Sequence, residues 1–232
     1  SKSASVVACS FWPTKAPPGT IMRFTGNPIR TALKNKSLVP FHLPSKGPLN
    51  LVIIGGSQGA RLFSRIVPEA VELLPKKIQN RLTIFQQARV EDRNKLRQRY
   101  KELGINTTVE DFFINIEKIF SSAHLIIARA GASTISEVLF LGKPLLLIPI
   151  PFSLGDHQKV NAQRISDLGA AICLDENTLT GGELAEQIGK ILENQRLAHN
   201  LAKKASKNST PQAIQNLRDL VIDVSEGNLV AK

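Results

Sequence analysis

Six short strand-like runs, Leu49 to Ile54, Leu82 to Phe85, Asn106 to Val109, Leu125 to Ile127, Leu145 to Ile150 and Ala170 to Leu174, alternate with segments of helical spacing. Strands separated by helices rather than by tight hairpins need crossover connections, and crossovers make neighbouring strands parallel. A parallel sheet is covered on both faces, which suits the continuous apolar character of runs such as Leu145 to Ile150. The expected fold is α/β, a doubly wound parallel sheet, and ligands of such sheets bind beyond the carboxyl ends of the strands.

Three polar turns fall at that edge. The first strand runs into Gly55-Gly56-Ser57-Gln58-Gly59-Ala60, a glycine-rich turn before a helix-like stretch that continues to Leu74. Such a turn lets backbone approach a phosphate, although tight strand-to-helix turns also use glycine for steric reasons alone. The second is Arg129-Ala130-Gly131-Ala132-Ser133-Thr134, followed by a helix over Ser133 to Leu141. A helix start carries unpaired N–H groups and a partial positive charge, so it suits an anion such as a diphosphate. Glu137, one turn later, is acceptor-only and suits paired hydroxyls such as those of a ribose. The simpler alternative is that Ser133 or Thr134 caps the helix while Glu137 offsets its dipole. The third turn, Pro151 to Asp156, opens a helix over His157 to Leu168 with Val160, Ile165 and Leu168 expected inward.

The ends of the chain are less regular. Residues 1–19, with Pro13, Pro17 and Pro18, read as a linker, and Ile21 to Phe24 as a strand. Gly26-Asn27-Pro28-Ile29-Arg30 is then a turn into a short helix, Pro28 suiting a first helical position and Arg30 left within reach of a phosphate. Glu183 to Asn194, Gln195 to Ala205 and Pro211 to Val224 read as consecutive helices whose apolar positions, including Ile214, Leu217 and Val221, are explained by packing.

Composition bounds the partners. A net charge of +11 in 232 residues calls for a polyanionic partner or surface. The densest basic stretch, Arg89 to Lys101, is interleaved with acids and reads as a solvated helix face. Aromatic residues make up only 5%, which argues against a stacking platform, and nucleic acid is set aside as a partner. No run approaches the roughly 18 apolar residues of a spanning helix. Cys9 and Cys173, far apart in sequence, read as reduced thiols of a cytoplasmic protein.

Several chemistries lack their residues. A nicotinamide dinucleotide fold expects an acid at the end of its second strand to hold the adenosine ribose, and this chain has Gln86 and Gln87 there. No Gly-Lys-Ser/Thr follows Gly55 as a Walker loop requires, and neither an HExxH nor a Cys/His ligand cluster occurs. His124 and His199 read as structural, His157 as a crevice residue beside Gln158, and none forms a Ser-His-Asp triad.

The motifs GNPIR at 26–30, GGSQGAR at 55–61, ARAGASTISEVLFLGKPLLLIPIP at 128–151 and DHQKVNA at 156–162, in this order and spacing, resemble the C-terminal half of the MurG family of peptidoglycan transferases. The resemblance covers nearly the whole chain. It implies a GT-B glycosyltransferase whose Rossmann-like C-terminal domain holds the sugar donor, here residues 26–205, with 1–25 a linker or remnant of an N-terminal domain and 206–232 a C-terminal helix and tail. It implies transfer of N-acetylglucosamine from UDP-N-acetylglucosamine to undecaprenyl-linked lipid I, with inversion, giving lipid II for cell-wall growth. By the same resemblance Arg30 and Ser57 bind donor, Ala132, Ser133 and Thr134 lie at the diphosphate, Ile135 and Ser136 belong to the substrate-binding set, and Glu137 takes the ribose hydroxyls. Gln158 takes the sugar hydroxyls, His157 stands beside it, and the uracil rests near Phe112 and Phe113, where the family usually has Phe-Ile.

No cofactor or metal is implied. The family acts on the cytoplasmic face of the bacterial inner membrane, an anionic surface. Its acceptor site and catalytic base lie in an N-terminal domain without counterpart in these residues, so binding without efficient turnover is the expectation. Two alternatives are the donor-binding subunit of a split transferase, similar to that of the eukaryotic dolichol-linked N-acetylglucosaminyltransferase, and a non-catalytic nucleotide-sugar-binding module.

Overall fold

The computed structural model describes residues 4, 6–11, 14, 16–34, 40–56, 61–151 and 156–228. Its centre is a six-stranded, wholly parallel sheet of β3 (Leu49–Ile54), β4 (Leu82–Gln87), β5 (Asn106–Glu110), β6 (Leu125–Ala128), β7 (Leu145–Leu147) and β8 (Ile172–Cys173). The spatial order is β5-β4-β3-β6-β7-β8. The chain leaves β3 toward β4 on one side and returns to its other side as β6, so the β3–β6 boundary is the topological switch point.

Side-chain alternation on these strands builds two cores. Leu49, Leu51 and Ile53 face one layer with Ile84, Leu125 and Ile127, under α1 (Arg61–Leu73), α3 (Val90–Glu102) and α7 (Gly181–Glu193). Val52 and Ile54 face the other with Ile126, Ala128, Leu145 and Leu147, under α4 (Ile116–Ser122), α5 (Ala132–Leu141) and α6 (His157–Asp167), while α8 (Gln195–Lys207) gives Ala198 and Leu201 to the first core and Ala205 to the second. A short α2 (Lys76–Gln79) closes the turn before β4. The family-independent expectation of a doubly wound parallel sheet is what the chain forms.

Boundaries and helix phases differ from expectation in informative ways. The run from Leu145 to Ile150 forms ladder only over Leu145–Leu147, and Ala170 to Leu174 only over Ile172–Cys173. Apolar character tracks burial, and Ile148 is fully buried without being in the strand. Val160 and Leu168 are 59% and 40% exposed, and Ala162 and Ile165 take the inward positions of α6. Pro28 is not helical, since a 3-10 turn forms only at Thr31–Leu33 behind an extended Arg30.

Within the stretch expected to be a linker, β1 (Val7–Cys9) pairs in parallel with β2 (Met22–Phe24). Three-residue strands are too short to leave a periodic signal. The last helix, α9 (Ala213–Ser225), buries Ala213 and Leu220, while Ile214 and Val221 remain 39% and 60% exposed. Packing explains α7 and α8 but not those positions of α9, which lies beside β1 rather than over the main sheet.

Both thiols are free, Cys9 buried and Cys173 half-buried. Among the described residues no helix is long and apolar enough to cross a membrane.

Candidate functional site

Register places the strand ends level with one another. Ile54 stands opposite Ala128, Ala128 opposite Leu147, and Gln87 opposite Glu110. The loops that leave β3, β5, β6 and β7 therefore open at one rim, and those leaving β3 and β6 flank the switch point. Gly55 and Gly56 begin the first loop, with Gly56 at φ +81°, a left-handed conformation that favours glycine. Ser57 and residues 58–60, together with 152–155 of the third loop, lie outside the described residues.

The second loop is the best defined. Gly131 is the N-cap of α5 and no side chain caps the helix. Ser133 and Thr134 therefore do not cap, no acidic residue lies in the first turn, and the dipole is not offset there. Orphan N–H groups at Ala132, Ser133 and Thr134 face the rim with the helix's positive end.

Beside them Arg30 and Glu137, distant in sequence, form an ion pair, Nε to Oε1, at 3.0 Å. The guanidinium is half-exposed and the carboxylate almost fully buried. Burial pushes the Glu137 carboxyl above its ordinary value, against the pull of the Arg30 guanidinium and backbone amide. The glutamate thus fixes the arginine by one edge and leaves its terminal amino groups turned to solvent, a posture suited to an incoming phosphate.

Other expected site residues take more varied positions. Phe112 is 69% exposed and Phe113 only 8%, so the first stands outside and the second is a core side chain. Ile135 is wholly buried and its amide donates to the Gly131 carbonyl. Ser136 turns away from the rim, into a cavity walled also by Leu139 and Phe140. His157 is exposed at the start of α6, behind Asp156, which adopts a left-handed φ of 53°. The Gln158 Oε1 accepts from the backbone amides of Ala130 and Ile150, each at 3.2 Å, which ties the start of α6 to both neighbouring loops.

Two positioning residues were not singled out from sequence. Asn161, one turn after Gln158, donates to the Ala130 carbonyl at 3.2 Å. Arg129 is buried, donates to the Ile148 carbonyl at 2.9 Å, pairs with Glu176 and lies 5.0 Å from the Phe63 ring centre. Its place at the head of the turn was visible, but its partners come from three remote segments. Gln86 and Gln87, standing where a dinucleotide site needs an acid, are structural. Gln86 donates to the Phe63 carbonyl and accepts from the Tyr100 hydroxyl, and Gln87 donates to the Asp111 carbonyl.

Sheet order, switch point and rim loops define a Rossmann-like α/β domain with an anion-accepting edge. The chain belongs to the family described as the glycosyltransferase family 28 C-terminal domain, whose profile matches residues 50–217. It is 39% identical over 226 residues to the UDP-N-acetylglucosamine--N-acetylmuramyl-(pentapeptide) pyrophosphoryl-undecaprenol N-acetylglucosamine transferase of Phenylobacterium zucineum (strain HLK1), covering 95% of this chain and 62% of that protein. The transferase of the same name from Sinorhizobium fredii (strain NBRC 101917 / NGR234) is 38% identical over 208 residues, covering 90% and 56%. Among solved structures, MurG of Acinetobacter baumannii superposes with a TM-score of 0.74 at 30% identity, over 96% of this chain and 62% of that one. The chain thus spans about three-fifths of the length of the curated relatives it matches.

Proposed function

We propose that this domain binds UDP-N-acetylglucosamine at the C-terminal rim of its sheet, and that the whole protein transfers N-acetylglucosamine from it to lipid I, forming lipid II with inversion. The observation that carries the reading is the Arg30–Glu137 pair beside the uncapped start of α5 at the switch point. The names of the relatives supply the donor sugar and the lipid-linked acceptor.

In this reading the diphosphate lies on the Ala132 to Thr134 amides and against the outer edge of Arg30. Glu137 accepts from the ribose hydroxyls, Phe112 flanks the uracil, and His157 and Gln158 meet the sugar. Ser57 contributes from the glycine loop. As the bond from the anomeric carbon to the diphosphate oxygen breaks, charge grows on UDP, and donors fixed in advance stabilise it without reorganisation. The groups that position the acceptor hydroxyl of lipid I, and the base that deprotonates it, belong in this reading to the portion of the relatives that this chain does not match. Residues 26–205 form the donor unit in this scheme, and a chain of charge +11 working at an anionic cytoplasmic membrane face is part of it.

Calorimetric titration with UDP-N-acetylglucosamine, UDP-glucose and UDP-galactose tests the reading. Preference for the first, with retained binding of UDP, is expected. Indifference to all uridine nucleotides would overturn it. Transfer to lipid I on adding the remainder of the relatives' length distinguishes a transferase part from a binding module.

A further inference from the structure

Behind the rim lies a second cavity of about 250 Å³, bounded by the β1–β2 ribbon, α5, α6 and the α8–α9 connection. It shares a wall with the donor site: Ile29 and Ser136 line it, while their chain neighbours Arg30 and Glu137 pair with each other. Two cations, Arg164 and Lys207, reach it, and among the described residues no carboxylate lines it. Among the described residues neither cation has a hydrogen-bond or ion-pair partner. Lys207 is exposed and needs no partner, but Arg164 is partly buried, and charges in such surroundings are ordinarily paired because desolvation is otherwise uncompensated. Burial accordingly disfavours the charged form of Arg164, and no neighbouring acid offsets it.

The remaining lining says what would complete the site. The hydroxyls of Ser136 and Thr210 and the amide of Asn27 add donors from three different segments. Donors converging from several directions around two cations match a tetrahedral oxyanion better than a planar carboxylate. Phe24 and Leu168, 48% and 40% exposed, add an apolar margin for an organic substituent. We propose that this cavity is a second anion site, separate from the donor rim, that takes a phosphate ester, either a free one or the headgroup of a phospholipid.

Two probes separate the sources. Inorganic phosphate is titrated into the isotopically labelled protein with UDP present, following the amides of Leu168, Asn208 and Thr210 rather than those of Ala132 to Thr134. Cosedimentation is measured with phosphatidylcholine vesicles with and without phosphatidylglycerol. In at least one arm, Arg164→Gln with Lys207→Gln is expected to weaken the response at least about tenfold, the low end for losing a single charge-assisted hydrogen bond. Arg65→Gln with Lys95→Gln, which removes the same charge from α1 and α3, is expected to retain it. The responding arm identifies the source. Absence of response in both arms, or equal loss in both variants, overturns the proposal. Should the first variant not fold, the exposed substitution Lys207→Glu serves in its place. Because the reporting amides are not those of the rim, failure here leaves the donor reading intact, and failure of UDP to bind leaves this test readable.

Discussion

At the level of single residues, the Arg30–Glu137 pair joins a turn near the beginning of the chain to a helix in its middle. One partner is a half-exposed cation and the other a buried carboxylate at 3.0 Å. Removing the carboxylate leaves Arg30 free to hydrate, so the loss falls on the ligand rather than on the fold. Glu137→Ala is expected to weaken UDP-N-acetylglucosamine binding by about 1–3 kcal/mol, the range for hydrogen bonds to a charged group, with the unfolding midpoint little changed. Calorimetry alongside urea denaturation checks both parts. Arg129 is the opposite case. Its guanidinium is buried against Phe63 and paired with the partly buried Glu176, so Arg129→Ala leaves that carboxylate and the buried Ile148 carbonyl unmatched and is expected to cost about 3 kcal/mol of stability, read from denaturant unfolding. Both residue types were legible in sequence, but their pairings were not, because ion pairs between remote segments leave no local pattern.

Elements decide how those residues are aimed. The turn that delivers Arg30 passes through Gly26, whose φ of +75° lies in the left-handed region and whose added Cβ would meet the Thr210 side chain at 2.6 Å. Gly26→Ala is therefore expected to destabilise the protein by about 1–3 kcal/mol through overpacking and strain, and to weaken UDP binding by displacing Arg30. Thermal unfolding and calorimetry on that variant measure the two effects. The β3 to β6 pairing is fastened at the end of the sheet opposite the rim. His124 Nδ1 accepts from the Asn50 amide at 2.8 Å, while the His124 amide donates to the Asn50 carbonyl. Strand β3 itself was legible to the residue. The phases of α6 and α9 were not, because isolated apolar residues satisfy more than one helical face and only the neighbouring layer chooses among them.

Across the whole molecule, pH dependence collects these local environments. Burial, with Lys143, His42 and Arg81 nearby, holds the His124 pKa down at about 4 against an ordinary 6.5. A depressed folded value means a contribution to stability that is present above about pH 6.5 and is lost as pH falls through about 4. The melting temperature is expected to decline over that window, and His124→Gln to flatten the decline. Glu137 acts with the opposite sign, since its folded value is raised and its contribution fades as pH rises through that value. A pH series of thermal melts on both single variants separates them. The basic surplus is also less free at this scale than along the sequence. Arg93 and Arg97 are held by Glu110 and Asp111 at the end of β5, and Arg99 by Glu72 of α1, so part of the basic stretch on α3 is paired across elements.

The sequence alone determined the parallel α/β sheet, most element positions and the identity of the three rim turns, because strand-and-helix alternation and turn chemistry are local properties that survive in one dimension. Tertiary structure decided what no spacing could carry. It set which phenylalanine of Phe112 and Phe113 stays outside, bound Gln86 to Tyr100, turned Ser136 from the rim to a second cavity, and brought Glu137 to Arg30. Those outcomes depend on which face another layer covers and on which remote group arrives with the complementary charge, and both are fixed only when the layers close.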